Sequence, residues 1–209
     1  MKIEVFVVGM VSTNCYLVCN EDSKEMFIVD PGQAPDYLVK HVKESGFTVK
    51  GILITHGHFD HILGIDGFLE EFDVPVYACT KERDLLENPG LNVSAKYGKG
   101  HTYLGANYVN DGDMLNVAGF QVRVIHTPGH TAGGCCYYVA DEGVVFTGDT
   151  LFRKEVGRWD LPTGDGNGET LIASIKEKLL VLPEETVVYP GHGEESLIED
   201  EKRMNPYLQ

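Results

Sequence analysis

THGHFDH (55–61) places three histidines and an aspartate within seven residues, directly after the strand-like run GILIT (51–55). A lone histidine at a buried edge is an ordinary packing residue. Four potential metal ligands crowded past the end of one strand are not explained by packing. The reading of the fold therefore turns on whether distant segments send donors to the same place.

Three further strand-like runs end in the same kind of residue. VRVIH leads into TPGHT with His130, VVFTG into Asp149, and TVVYP into GHG with His192. Loops at strand ends are where a rigid sheet aims chemistry. With His56, His58, Asp60 and His61 from the first loop, seven donors stand in four clusters, and glycines at 57, 129, 148, 191 and 193 leave room beside them. Imidazole with carboxylate suits zinc, iron or manganese better than calcium. Seven donors exceed what one four-coordinate ion needs and fit two ions bridged by a carboxylate. Of the other histidines, His41 and His101 read as ordinary side chains, and His126 as structural or supporting.

The 209 residues are expected to form a single domain over 1–209, with 43% apolar residues to build a core. A formal charge of −15 disfavours nucleic acid and anionic membranes, which require positive counter-charge. The five cysteines, Cys15, Cys19, Cys79, Cys135 and Cys136, are odd in number and contain no CxxC pair. They read as buried apolar residues in a reducing cytosol rather than a disulfide framework. No run approaches the ~18 apolar residues of a membrane span, and no cleavage site follows the first apolar run. A cytoplasmic, unprocessed protein is expected.

Along the chain, KIEVFVV (2–8), NCYLVCN (14–20) and MFIVD (26–30) read as an antiparallel meander. A helix is expected over Ala34–Ser45, a strand at VKGILIT (49–55), a helix over 61–72, a strand at VPVYAC (74–79) and a helix from Thr80. Residues 88–101 read as irregular, and as ordinary surface more than a site cover. MLNV, FQVRVIH, CCYYVA and GVVFTG follow as strands, then a helix over Glu169–Leu180, the strand TVVYP (186–190) and a helix over Glu194–Met204. The order hints at two similar halves.

THGHFDH resembles the HxHxDH signature of the metallo-beta-lactamase superfamily, and HTPGHT, TGDT and YPGHG resemble its later ligand motifs in the right order. The resemblance implies an α/β fold, a four-layer αβ/βα sandwich of two mixed sheets with the metals at one edge. It implies that His56, His58 and His130 hold a first ion and that Asp60, His61 and His192 hold a second. Asp149 would bridge them. The best-known class B lactamases carry a cysteine in place of Asp149 and are exported, and the chain matches neither feature. Asp30, in IVDPG, stands where the family holds a histidine's second nitrogen; a plain turn before Pro-Gly is the alternative.

Two divalent ions, zinc first with iron or manganese as alternatives, would sharpen a shared water into a bridging hydroxide that attacks a carbonyl. Asp60, His56, His58 and Asp149 would carry that catalysis. TNCYLV, IVDPG, HTPGHTAGG, FTGDTLF and EKRMNPYL are similar to small glyoxalase II-like (hydroxyacylglutathione hydrolase-like) hydrolases, which implies a small-molecule thioester substrate. Only 17 residues follow His192, too few for the helical glutathione-binding domain of the full enzyme. GRWDLP (157–162) replaces its glutathione-contacting stretch, with Arg158 keeping the charge and Asp160 replacing a tyrosine. Arg158 and Asp160 are thus candidate substrate residues, or a salt-linked turn. GRWD also resembles a segment of persulfide dioxygenases, which hold one iron through residues matching His56, His130 and Asp149. That dioxygenase is the alternative function. The superfamily's nucleases need basic surface and its flavin-diiron reductases a further module, so neither fits.

Overall fold

Hydrophobic alternation decides the first half of the molecule. In the computed structural model, which describes residues 1–161 and 166–209, β1 (Lys2–Val8), β2 (Thr13–Asn20) and β3 (Glu25–Val29) form the expected antiparallel meander. Successive side chains of a strand point to opposite faces. Cys15, Leu17 and Cys19 of β2 accordingly enter one apolar cluster and Tyr16 and Val18 another. The chain then passes through α1 (Asp36–Glu44) into β4 (Thr48–Ile54), parallel to β3. Two short helices follow, α2 (Phe59–Ile62) and α3 (Ile65–Leu69), then β5 (Val76–Cys79), α4 (Arg83–Glu87) and β6 (Asn107–Val109). The six strands form one sheet in the order β1-β2-β3-β4-β5-β6.

The second half repeats the plan. β7 (Met114–Val117), β8 (Phe120–His126), β9 (Cys135–Val139) and β10 (Val144–Gly148) make an antiparallel meander. A small hairpin, β11 (Leu151–Phe152) with β12 (Glu155–Val156), and α5 (Gly168–Ser174) lead to β13 (Val187–Pro190), parallel to β10. β14 (Ser196–Leu197) and α6 (Ile198–Met204) end the fold, and the second sheet runs β14-β13-β10-β9-β8-β7.

Three apolar layers give the four-layer αβ/βα sandwich. Leu38 and Val42 of α1 and Ile65 and Phe68 of α3 pack on the outer face of the first sheet. Phe27, Val29 and Leu53 meet Val124, Tyr137 and Phe146 between the sheets. Leu171 of α5 and Ile198 of α6 cover the outer face of the second. Tyr137 ties the sheets by donating its hydroxyl proton to the Ile54 carbonyl at 2.9 Å. All five cysteines are free and buried in these layers. Among the described residues no helix is long and apolar enough to cross a membrane.

Some elements differ from the sequence reading. The helix expected over 61–72 breaks at Gly64, whose N–H goes to the Pro31 carbonyl at 2.7 Å instead of continuing the α2 ladder, and the chain starts afresh as α3. The helix expected from Thr80 begins as one 3-10 turn before α4. The helix after α5 widens to π geometry over Ile175–Leu179, with Leu180 bonded to the Ile175 carbonyl, which keeps Leu171, Ile175 and Leu179 all buried. The start of the terminal helix is instead β14, recruited to pair with β13. β6 and the β11–β12 hairpin carry too few residues for their periodicity to be read. Pro162 of GRWDLP lies outside the described residues.

Candidate metal centre

Two parallel strand pairs aim the donors. Asp30 follows β3, and His56 stands two residues past its parallel neighbour β4. Asp149 follows β10, and His192 stands two residues past its parallel neighbour β13. His58 and the first turn of α2 add Asp60 and His61, and the turn after β8 adds His130. The seven donors fall into three overlapping groups that could hold ions: His56–His58–His130, His56–His61–Asp149 and Asp60–His61–His192, with the donor atoms of each within 4.8 Å.

Hydrogen bonds on the far side of each ring decide which nitrogen faces inward. The Thr55 hydroxyl donates to Asp30 Oδ2 at 2.6 Å and is therefore left to accept from His56 Nδ1 at 3.2 Å. His130 Nδ1 donates to the Arg158 carbonyl at 2.6 Å, His61 Nδ1 to Asp30 Oδ2 at 2.9 Å, and His192 Nδ1 to the Ser12 carbonyl at 3.2 Å. The Nε2 atoms of His56 and His130 thus present lone pairs to the site, and those of His61 and His192 do so once their rings give up a proton. His56 Nε2 and His130 Nε2 lie 3.2 Å apart, and His58 Nδ1 lies 2.9 Å from the same His130 nitrogen. Lone pairs facing at the 3.2 Å between His56 and His130 repel. Two nitrogens bound tetrahedrally at ~2.0–2.1 Å to one ion would stand about 3.3 Å apart. His61 Nε2 and Asp149 Oδ1 are buried 3.4 Å from each other and make no hydrogen bond, an uncommon condition that a cation between them would relieve. The residues fit divalent transition-metal ions on both counts.

Asp149 lies between the groups. Its Oδ1 faces His61, and its Oδ2 is 3.6 Å from His130 Nε2 and 3.5 Å from His192 Nε2. Asp60 Oδ2 is 3.3 Å from the Nε2 atoms of both His61 and His192 and accepts from Thr13 Oγ1 at 2.8 Å.

Burial and charge divide the imidazoles. Burial, reinforced by the neighbouring His61 and His130, holds His56 well below the ordinary histidine range. Burial, and then His130, pushes His58 down to about 3. Burial would also depress His61, but the carboxylates of Asp60, Asp30 and Asp149 outweigh it and raise the ring well above its usual value. His192 is likewise lifted against burial to about 10 by bonds to Asp149 and Asp60. Burial disfavours the charges of Asp60 and Asp149, yet His61 and His192 keep both far below the usual carboxylate range.

Supporting residues that the sequence reading missed hold the loops. The buried Glu82 accepts from the Gly57 backbone N–H at 2.9 Å through Oε1. Asn14 donates from Nδ2 to the carbonyls of Pro190 and Gly193, fixing the His192 loop. A Cβ on Gly191 would overlap Asp149 Oδ1. Thr13 and Asn14 stand in the TNCYLV start and could have been marked there; Glu82 carried no local signal. Asp30 is no plain turn residue: Thr55 donates to it from both N and Oγ1, and His61 from Nδ1.

A cleft of about 620 Å³ opens onto the donors. Arg158 lines it, but its guanidinium forks onto Asp160, Nε to Oδ1 at 2.9 Å and Nη2 to Oδ2 at 3.2 Å, with both side chains 67% exposed. Asp160 itself is not among the lining residues. The 88–101 segment, by contrast, is more than ordinary surface. Val93 and Tyr97 line the cleft, and the Asn92 carbonyl accepts from the Phe59 N–H at 2.9 Å. Lys96 and Lys99 do not line it. His126 is structural, its Nε2 donating to the Ala132 carbonyl at 2.9 Å.

The model of the metallo-beta-lactamase superfamily matches residues 8–192. A probable metallo-hydrolase of Bacillus subtilis, YqgX, is 40% identical over 210 residues, covering 100% of this chain and 98% of the relative. The hydroxyacylglutathione hydrolase GloC of Haemophilus influenzae is 34% identical over 211 residues, again covering 100% and 98%. Among solved structures, the BLEG-1 B3 metallo-beta-lactamase superposes with a TM-score of 0.92 at 40% identity, covering 99% of both chains. TTHA1623 in a di-iron-bound form gives 0.85 at 36%, covering 98% of this chain and 100% of that one. ETHE1 from Myxococcus xanthus gives 0.79 at 28%, covering 99% and 84%.

Proposed function

Because the chain belongs to the metallo-beta-lactamase superfamily as a metal-dependent hydrolase, we propose that it hydrolyses small-molecule thioesters at a two-ion centre. His56, His58 and His130 would hold one ion, Asp60, His61 and His192 the other, and Asp149 both. The observation that carries the reading is the completeness of the second donor set. His61 and His192 each have their outer nitrogen committed, and Asp60 is oriented by Thr13. A one-iron dioxygenase would fill only His56, His130 and Asp149, and because those enzymes retain much of the HxHxDH pattern the number of ions bound separates the two readings. The GloC relative and the di-iron neighbour add support.

Ions held there would supply Lewis acidity, making a water acidic near neutral pH and polarising a carbonyl. The chain's own residues do the rest. Asp60, held as a carboxylate, accepts a hydrogen bond from the attacking water and aims its lone pair. The proton that the water gives up ends on the departing sulfur. One C–O bond forms, the C–S bond breaks, and the products are a carboxylic acid and a thiol. No cysteine competes as nucleophile, because all five are buried and none lines the cleft.

The test uses protein purified without added ions, assayed for thiol release from an acyl-thioester panel before and after chelation. Hydrolysis that disappears with chelator and returns with zinc, iron or manganese is expected, with two ions per chain by elemental analysis. Chelator-insensitive hydrolysis overturns the proposal. So does one iron per chain with oxygen uptake on a persulfide and no thioester turnover.

A further inference from the structure

We infer that the cleft selects an apolar acyl chain, not a hydroxylated one, and a thiol part without clustered negative charge; this rests on the thioester reading above. An apolar surface adjoins each donor set. Phe59, between His58 and Asp60 in the chain, stacks on Tyr97 with ring centroids 4.5 Å apart and planes at 20°. Phe152 lies against His192 with centroids 6.2 Å apart. Val93 and Val156 extend these surfaces along the same cleft. Phe59 is 7% exposed and anchored through its backbone, whereas Tyr97 is 53% exposed and offers its ring to an incoming chain.

What the lining lacks argues the same way. Among the described residues lining the cleft there is no Ser, Thr, Asn or Gln, and the Tyr97 phenol is the one side-chain hydroxyl, which Tyr97→Phe removes. A site built to prefer a hydroxylated substrate holds the hydroxyl with a placed partner, and only such a partner gives strong discrimination. The lining cations bring no surplus of positive charge for anions either. Arg153 is paired with Glu194 and Arg158 with Asp160, so each guanidinium already has a carboxylate, and Glu155 adds a further negative charge. A volume of about 620 Å³ leaves room for a chain of several carbons beside the reacting group.

The experiment separates recognition from turnover. Calorimetry on the protein as purified would measure binding of the product acids acetate, butyrate, hexanoate, lactate and 2-hydroxybutyrate. Affinity should rise two- to fourfold per added methylene, the upper figure being that of a fully buried CH₂ at roughly fourfold. 2-Hydroxybutyrate should bind no tighter than butyrate. Tyr97→Ala should weaken hexanoate by about tenfold and leave acetate unchanged, and Tyr97→Phe should keep the native series. In parallel, kcat/KM for acyl-N-acetylcysteamine thioesters should climb with chain length. A flat binding series, tighter binding of the hydroxy acids, or a hexanoate affinity indifferent to Tyr97→Ala overturns the inference. A steep series without thioester turnover supports the cleft assignment and overturns only the reaction. Turnover with a flat series does the reverse.

Discussion

Asp30 Oδ2 stands 2.9 Å from His61 Nδ1 and also accepts the Thr55 hydroxyl at 2.6 Å, so one carboxylate oxygen fixes two imidazoles, His61 directly and His56 through Thr55. Asp30 does this from a left-handed backbone, φ +50°, a conformation that asparagine tolerates. Asp30→Asn should therefore fold and keep one acceptor for Thr55. Its single amide oxygen cannot serve both the Thr55 N–H, now on Oδ1, and the Thr55 hydroxyl with the His61 ring, now on Oδ2. Metal affinity should fall by about 10–100-fold, as when other supports of ligating histidines are removed. Titration against a competing chelator measures it, and unchanged affinity would count against Asp30 as the anchor.

Loading should expel protons. His61 and His192 are raised in the ion-free protein and so carry protons near neutral pH, whereas His56 and His58 are lowered and already neutral. Ligation requires neutral rings, so filling both sets should release about two protons per chain at pH 7.5. The sign follows: affinity of the Asp60–His61–His192 set rises with pH through the range in which both raised rings, His61 and His192, lose their protons, about 10 for His192. An indicator dye in weakly buffered solution reads the release.

Glu82→Ala should unsettle the first ligand loop by stranding the buried Gly57 N–H, at a cost of about 1–3 kcal/mol. In a chain of this length that is roughly 2–4 °C of melting temperature per kcal/mol. Glu82→Gln retains an acceptor oxygen and should melt closer to the native protein. Thermal melts of the three proteins, run with and without ions, give the comparison.

The thiols should be silent in the folded state. All five cysteines are buried, and burial pushes the Cys136 thiol up to about 12 and raises Cys135 well above its ordinary value. A chromogenic disulfide reagent should report none of them in native protein and five after denaturation. Rapid native reactivity would contradict the packing.

Much of the centre was legible because strand ends and their donors are local in sequence. GILIT–THGHFDH, VVFTG–Asp149 and TVVYP–GHG each place a buried strand beside its ligands. The meander of KIEVFVV, NCYLVCN and MFIVD was equally plain, since β2 and β3 are long and apolar. What stayed hidden depends on contacts between distant segments. Glu82 matters only because α4 and its preceding turn pack beneath Gly57, and Tyr97 only because the 88–101 segment folds back on Phe59. The break at Gly64 goes with the Pro31 carbonyl taking its N–H, a contact that no periodicity within 61–72 encodes. Arg158 and Asp160 were read as substrate residues or a salt-linked turn, and the fork between them is present.

The donors come from both sheets, with Asp60 and His61 carried by the first and Asp149 and His192 by the second. Elsewhere the sheets meet across an apolar layer with few polar ties such as Tyr137 to Ile54. Ions shared among these residues would act as rivets along one rim of the sandwich. Stripping them would let that rim splay, while the hydrophobic interior holds the far rim shut. Amide exchange should then quicken in the loops around His56, His130 and His192 and stay slow in the middle of β2 and β9.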